Sequence, residues 1–297
     1  MDALVIELRR GGIVEARHRV HAVVVRGGEI VARHGDPRLV TFMRSSAKPI
    51  QALPLARARE DLDDRELAIA SASHLADRPQ LAAVRSLLAK ADAREDDLEC
   101  GPAGHPPARI KHNCSGKHAG MLALCRARRW RGEGYRLEAH RCQRAMLAEI
   151  AAAAEGDEDS IPTAVDGCGV LTFAFPLERI ARAFGRLEQL EGGARVAAAM
   201  RAHPDLIRGP RAADSRLMQL LPGWVAKGGA EGLLCAAGPD GFGLALKVED
   251  GHTRAVGPAL AAVFAGLGQP VEELASSPVE NSRGEVVGAI EAPPRAL

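Results

Sequence analysis

The chain has 297 residues, 46% of them hydrophobic but only 3% aromatic, so its core must be built from Ala, Leu and Val rather than rings. Thirty-nine Lys and Arg balance 38 Asp and Glu for a formal charge of +1, which excludes the basic bias of a dedicated nucleic-acid or membrane-surface protein. No stretch approaches the ~20 apolar residues of a membrane span, and the N-terminus, with Asp2 and a short apolar run, does not read as a signal peptide.

In chain order, LVIEL, VHAVVV and EIVARHG read as strands, the last two joined at Gly27-Gly28, where both positions tolerate positive φ. LVTFM is a further short strand. Helical spacing then takes over in KPIQALPLARA, RELAIASASH, QLAAVRSLLAKA and AGMLALCRARRW. The basic run Arg126 to Arg131 is the solvated end of such a helix. An alanine-rich helix, MLAEIAAAAEG, is expected to stop at Gly156. IPTAVDGCGV reads as a strand feeding a glycine turn, followed by helices in FPLERIARAF and RVAAAMRAHPDLI. A hairpin about Pro239-Asp240-Gly241, the helix VGPALAAVFAGLG, a loop over Pro270 to Pro278 and the strand GEVVGAI close the chain.

The expected class is therefore α+β, without the βαβ alternation of a parallel sheet. An antiparallel sheet comes from both termini, about 1–43 and 226–297. A mainly helical lobe comes from about 44–225, and the whole of 1–297 forms one catalytic unit.

Four elements carry chemistry. Ser45-x-x-Lys48 places a serine and a lysine one turn apart at a helix start, where a neutral lysine can take the serine proton. Pro49 fits the first turn of that helix. HNCSGKH (112–118) places Cys114 before a helix, where the dipole lowers a thiol pKa. DGCG (166–169) places Cys168 between two glycines on a strand-to-helix turn. Two thiols fill half a tetrahedral zinc shell; Lys117, or more conventionally His112, His118 or Asp166, could extend it. Both cysteines could equally be small buried residues. Lys227-Gly228-Gly229 resembles in place the K-T-G element of penicillin-recognising enzymes, although a loop lysine is the plainer reading. Ser71 or Ser73 of the ASASH element could pair with Lys227. Taken in this order the four elements point to an amide hydrolase. The six cysteines lack disulfide-scaffold spacing, and reduced thiols in a cytoplasm are expected.

Together, RSSAKPIQ (44–51), ASASH (70–74), HNCSGKHAGML (112–122), DGCGV (166–170) and AKGGAEG (226–232) resemble the L-asparaginases of the asparaginase II, rhizobial type. The resemblance implies a fold similar to serine β-lactamases and penicillin-binding proteins, and hydrolysis of L-asparagine to L-aspartate and ammonia. It implies two couples, Ser45 with Lys48 and Ser73 with Lys227, Ser45 being the preferred nucleophile. It implies zinc held by Cys114, Lys117 and Cys168. Arg44, Asn113, Asp166 and Gly228 are taken as substrate-binding positions, and a cytoplasmic homodimer is expected. After its histidine the ASASH element continues as Leu75-Ala76-Asp77-Arg78, a departure from the family's small residues and glutamate. A β-lactamase-like acyl enzyme and a non-catalytic zinc protein of the same fold are the alternative readings, and sequence does not separate asparagine from glutamine.

Overall fold

The computed structural model describes residues 2–293; Met1 and residues 294–297, which end the strand-rich stretch expected to reach 297, lie outside the described residues. The chain opens with three antiparallel strands, β1 (Leu4–Arg10), β2 (Ile13–Arg26) and β3 (Glu29–His34). Gly27 and Gly28 take φ of 56° and 87°, and Arg26 faces Glu29, so the expected two-residue hairpin forms there. A short strand, β4 (Val40–Phe42), leads into a 3₁₀ turn at Arg44–Ala47.

Helices then accumulate: α1 (Lys48–Gln51), α2 (Leu53–Ala58), α3 (Asp64–Ala70), α4 (Arg78–Lys90), α5 (Ser115–Ala127) and α6 (Arg141–Ala154). Capping boxes start two of them, Asp63 with Glu66 on α3 and Asp77 with Gln80 on α4. The departure at Leu75–Arg78 thus supplies a helix start. The α6 helix stops one residue before the glycine expected to end it, because Glu155 itself takes the left-handed cap at φ 55°.

A hairpin of β5 (Thr163–Val165) and β6 (Leu171–Pro176) follows, then α7 (Leu177–Gly185), α8 (Gly193–Ala202), α9 (Pro204–Ile207) and α10 (Ala213–Leu220). The glycine turn around Cys168 therefore joins two strands, not a strand and a helix. Its second strand, LTFAF, is a buried apolar run whose spacing does not distinguish strand from helix. Finally come β7 (Val225–Gly228), β8 (Leu233–Gly238), β9 (Phe242–Val248), α11 (Val256–Gly266), β10 (Ser276–Glu280) and β11 (Val286–Glu291). Part of the expected loop at 270–278 is strand β10, which tolerates Pro278 because it lies at the sheet edge.

The main sheet runs β10-β11-β1-β2-β9-β8-β7, with β3 also on β2, and every pair is antiparallel. Strands from both ends of the chain thus share one sheet. β8 and β9 are buried along nearly their whole length, so they read as continuous apolar runs, and α7 and α11 cover them. A smaller sheet, β4-β6-β5, joins the helical lobe to the 3₁₀ turn: Met43 N–H donates to Phe173 O at 2.8 Å. Lys227 is the penultimate residue of β7, the edge strand facing α10 and the 3₁₀ turn.

Candidate active site

Lys48 is the first residue of α1, and its side chain runs into the interior, where only 1% of the residue is exposed. There its Nζ donates to Ser73 Oγ at 2.9 Å, to Cys114 Sγ at 3.3 Å and to the carbonyl of Ala72. Burial pushes the Lys48 ammonium down and the Lys117 charge adds to this, against the opposing pull of Cys114 and Cys168.

The two expected couples are therefore not the observed pairs. Among the described residues no side-chain hydrogen bond joins Ser45 to Lys48, although the Lys48 backbone N–H donates to Ser45 O and fixes their one-turn spacing. Three acceptors on the interior side hold the lysine tip, while Ser45 stays half-buried on the outer side. Nor does Lys227 reach Ser73: its Nζ donates to Gly228 O at 2.6 Å and lies 3.8 Å from Asp214. Between the two alternatives in ASASH, Ser73 meets the lysine, whereas Ser71 Oγ is buried without a partner among the described residues.

Ser73 is held from two sides. Its N–H donates to Ile207 O at 2.7 Å, and the next residue's N–H donates to Asn113 O at 3.1 Å. His74 Nδ1 accepts from Ala76 N–H, so its proton sits on Nε2 and is donated to Ser115 Oγ at 2.8 Å; that hydroxyl donates to Ile110 O. Burial, with Lys48 adding, lowers His74 to about 4, so it stays neutral and ties the Ser73 loop to the start of α5.

That helix start lies against the end of α3. A Cβ on Gly116 would overlap the Ile69 carbonyl oxygen, so the glycine of HNCSGKH has a packing reason that its sequence position does not disclose. Cys114 is the N-cap, with its N–H donated to His112 Nδ1 at 3.1 Å. Lys117, one turn further, points at the β5–β6 hairpin, where its Nζ lies 3.1 Å from Cys168 Sγ. A hydrogen bond from Cys168, aided by Lys48 and Lys117, holds the Cys114 thiol well below its usual range, and the same bond pushes Cys168 up. Burial alone would lower Lys117, but Cys168, Cys114 and Asp166 outweigh it and raise the ammonium.

Two thiols and the Lys117 nitrogen, a ligand once it loses its proton, thus meet in one buried cluster built from the start of α5 and the β5–β6 turn. This donor set suits a tetrahedral zinc with an open fourth position, so the residues present fit the implied metal. Among the described residues no group of three or more His, Cys, Asp or Glu could hold a metal ion. The histidine considered as a substitute at 118 bonds Tyr135 OH through Nδ1 instead.

The expected substrate contacts divide. Arg44 Nε donates to Asp166 Oδ1 at 2.8 Å, so these two are partners of each other. Their bond pins the 3₁₀ turn to the hairpin, and Arg44 takes φ 50°, an uncommon conformation for a residue with a side chain. Asn113 is exposed beside Cys114, and Gly228 N–H donates to Asp214 Oδ2 at 2.8 Å.

Asp214 is a site residue missed from the sequence. It is 2% exposed on α10, lies 3.8 Å from Lys227 Nζ, and shares its helix face with buried Leu217 and Met218, three and four residues further on. An acid at an apolar-face spacing was the available signal. Burial brings Lys227 down to about 7; Asp214 opposes this, and Lys48 and Arg208 reinforce it. Gln80, fully buried, is a further residue the sequence analysis missed: it completes the capping box with Asp77 and also binds Asp205 O and Arg208 O.

Similar solved structures include native Mglu in the presence of 4.3 M NaCl, with 14% identity over 86% of this chain and 62% of that one, at a TM-score of 0.49. They also include the covalent complex between the Bacillus subtilis glutaminase YbgJ and 5-oxo-L-norleucine, with 15% identity over 85% of this chain and 89% of that one, at a TM-score of 0.39. This chain spans 62% of the length of Mglu. Comparison with curated protein sequences finds no match. The family model for L-asparaginase II matches residues 6–292, from β1 through β11 and across every element of the site. The chain belongs to the L-asparaginase II family.

Proposed function

We propose that this protein is an amidohydrolase that converts L-asparagine and water to L-aspartate and ammonia, as a cytoplasmic homodimer with zinc at Cys114, Lys117 and Cys168. The observation that carries the reading is the buried Lys48 amine, bonded to Ser73 and set one turn from the half-buried Ser45. A nucleophile must meet its substrate. Ser73 is 3% exposed with its hydroxyl engaged by Lys48, whereas Ser45 is only half-buried, so Ser45 is assigned the attack.

Ser45 Oγ bonds to the amide carbon while its proton passes to Lys48, which as the neutral amine keeps two of its three interior bonds and offers its lone pair to the proton. Collapse of the tetrahedral adduct breaks the C–N bond, and Lys48 returns the proton to the departing nitrogen, releasing ammonia. Water then attacks the acyl ester and gives a proton to Lys48, and collapse of the second adduct breaks the ester C–O bond, returns that proton from Lys48 to the Ser45 oxygen and frees L-aspartate. The N–H groups of Arg44 and Ser46 are donated to Thr172 Oγ1 and Met43 O, so the Ser45 N–H is the backbone donor of the turn that would stabilise the oxyanion, and loss of one such donor typically slows turnover ~100–1000-fold. Ser73 keeps the lysine tip in place. Zinc would supply positive charge that binds and orients the substrate.

Glutamine differs from asparagine by one methylene, worth only ~1–3 kcal/mol in a pocket. Ammonia release from both amides, with and without a chelator, tests the reading. Release from at least one amide is expected, with asparagine preferred, and no release from either overturns the function.

A further inference from the structure

A cavity of about 270 Å³ lies beside Gly228 and Gly229, lined also by Asp214, Arg208, Arg211 and Arg254. Its charge is cationic. Asp214 is the acid among these, and it already accepts from Gly228 N–H at 2.8 Å and Ser215 N–H at 3.1 Å. The guanidinium groups of Arg208 and Arg211 have no ion-pair or hydrogen-bond partner among the described residues. Arg254 is oriented instead: its Nε donates to His18 Nε2 at 2.9 Å, so the His18 proton lies on Nδ1, 2.6 Å from Asp250.

The cavity is also in register with the reactive serines. Ser73 N–H bonds Ile207 O at 2.7 Å, and Gln80 Nε2 donates to Asp205 O and Arg208 O at 3.1 and 3.2 Å. The other end of Gln80 accepts from Leu75 and Asp77 N–H, so the Ser73 loop and the Arg208 segment are stapled together. On the opposite side, a Cβ on Gly228 would come 3.1 Å from Asp214 Oδ2 and 3.8 Å from Arg208 Nη1. A side chain there would crowd Asp214 and the Arg208 guanidinium at the cavity wall.

We propose that this cavity binds the free α-carboxylate of the substrate, with Arg208 and Arg211 as its counterions. The inference rests on the amide-hydrolase reading above and assigns the residues that would hold the carboxylate end of its substrate. A guanidinium pairs with a carboxylate through two parallel N–H bonds, and such a pair fixes orientation as well as charge. A carboxylate seated there would hold the side-chain amide at a constant offset from the lysine and serine elements. A volume of this size takes an amino-acid head group and is too small for a polypeptide segment.

The test compares kcat/KM for L-asparagine and for 3-aminopropanamide, which is the same molecule without its carboxylate. It uses the wild-type protein, Arg208→Gln, Arg211→Gln and the double variant, with folding checked by thermal melts. The wild type should prefer asparagine by on the order of 100-fold, and the double variant should reduce that ratio by at least ~10-fold, mainly through KM. A ratio unchanged within about threefold in the double variant overturns the proposal. Calorimetric titration with L-aspartate provides a readout that needs no turnover. Affinity should fall at least ~10-fold in the double variant, and equal affinity, or no binding to the wild type, overturns it. Should the wild type release ammonia from neither amide, the proposed function fails, and the L-aspartate titration alone decides the cavity.

Discussion

The two ends of the candidate site differ in how their charges are settled. At the thiol end, Lys48, Lys117, Cys114 and Cys168 are buried and each touches another member, so every polar tip is held. At the strand-edge end, Lys227 is fully buried beside Asp214, yet Arg208 and Arg211, which line the neighbouring cavity, have side chains unpaired among the described residues. Packed, mutually bonded groups suit proton movement, because their positions cost no reorganisation during reaction. Unpaired cations at a cavity wall suit recognition, because a ligand supplies the missing partner.

The largest effect that would break this division lies at Lys48. Arginine keeps the charge but cannot lose its proton at working pH. Lys48→Arg should lower kcat by at least ~1000-fold across the pH range while the protein melts as a folded unit. Appreciable turnover at any pH would mean that the lysine serves only as a charge and that the base lies elsewhere, with Lys227 the next candidate.

Metal analysis sharpens the contrast at the thiol end. About one zinc per chain is expected, and Cys168→Ser should lose most of it, because two thiols and an amine leave no spare donor. A full metal complement in the variant lacking both Cys114 and Cys168 would remove the site from this cluster.

A smaller effect is expected at the strand edge. Lys227 carries its proton below about pH 7 and loses it above. Below that pH a second ammonium near Lys48 disfavours proton transfer from serine to Lys48; above it, Lys48 is the stronger base. The kcat/KM profile should therefore rise with pH through about 7, and Lys227→Met should flatten that limb. A limb of the same midpoint in Lys227→Met would assign it to another group.

Much of the frame was legible because turn chemistry is local. Gly27-Gly28 and Pro239-Asp240-Gly241 mark hairpins by the φ values they permit, and both form. β6 was not legible, because a strand buried on both faces loses its alternation. Within the site, the motifs identified which residues carry chemistry but not which of them meet. Ser45 and Lys48 are neighbours by spacing, yet the lysine tip is claimed by Ser73 and Cys114, residues 25 and 66 positions away. Arg208 and Asp214 belong to no motif. Their place follows from Gln80 and Ser73 bonding the segment that carries the arginine, and from α10 packing on β7, both long-range events.

The assignment of Ser45 as the half-buried nucleophile beside a buried lysine is tested most directly by ammonia release from L-asparagine in Ser45→Ala and Ser73→Ala, each checked for folding. Ser45→Ala should fall at least ~1000-fold, as loss of a nucleophile does, whereas Ser73→Ala, which loosens the lysine tip, should retain measurable turnover. Near-normal release from Ser45→Ala with Ser73→Ala inactive would contradict the account and transfer the attack to Ser73.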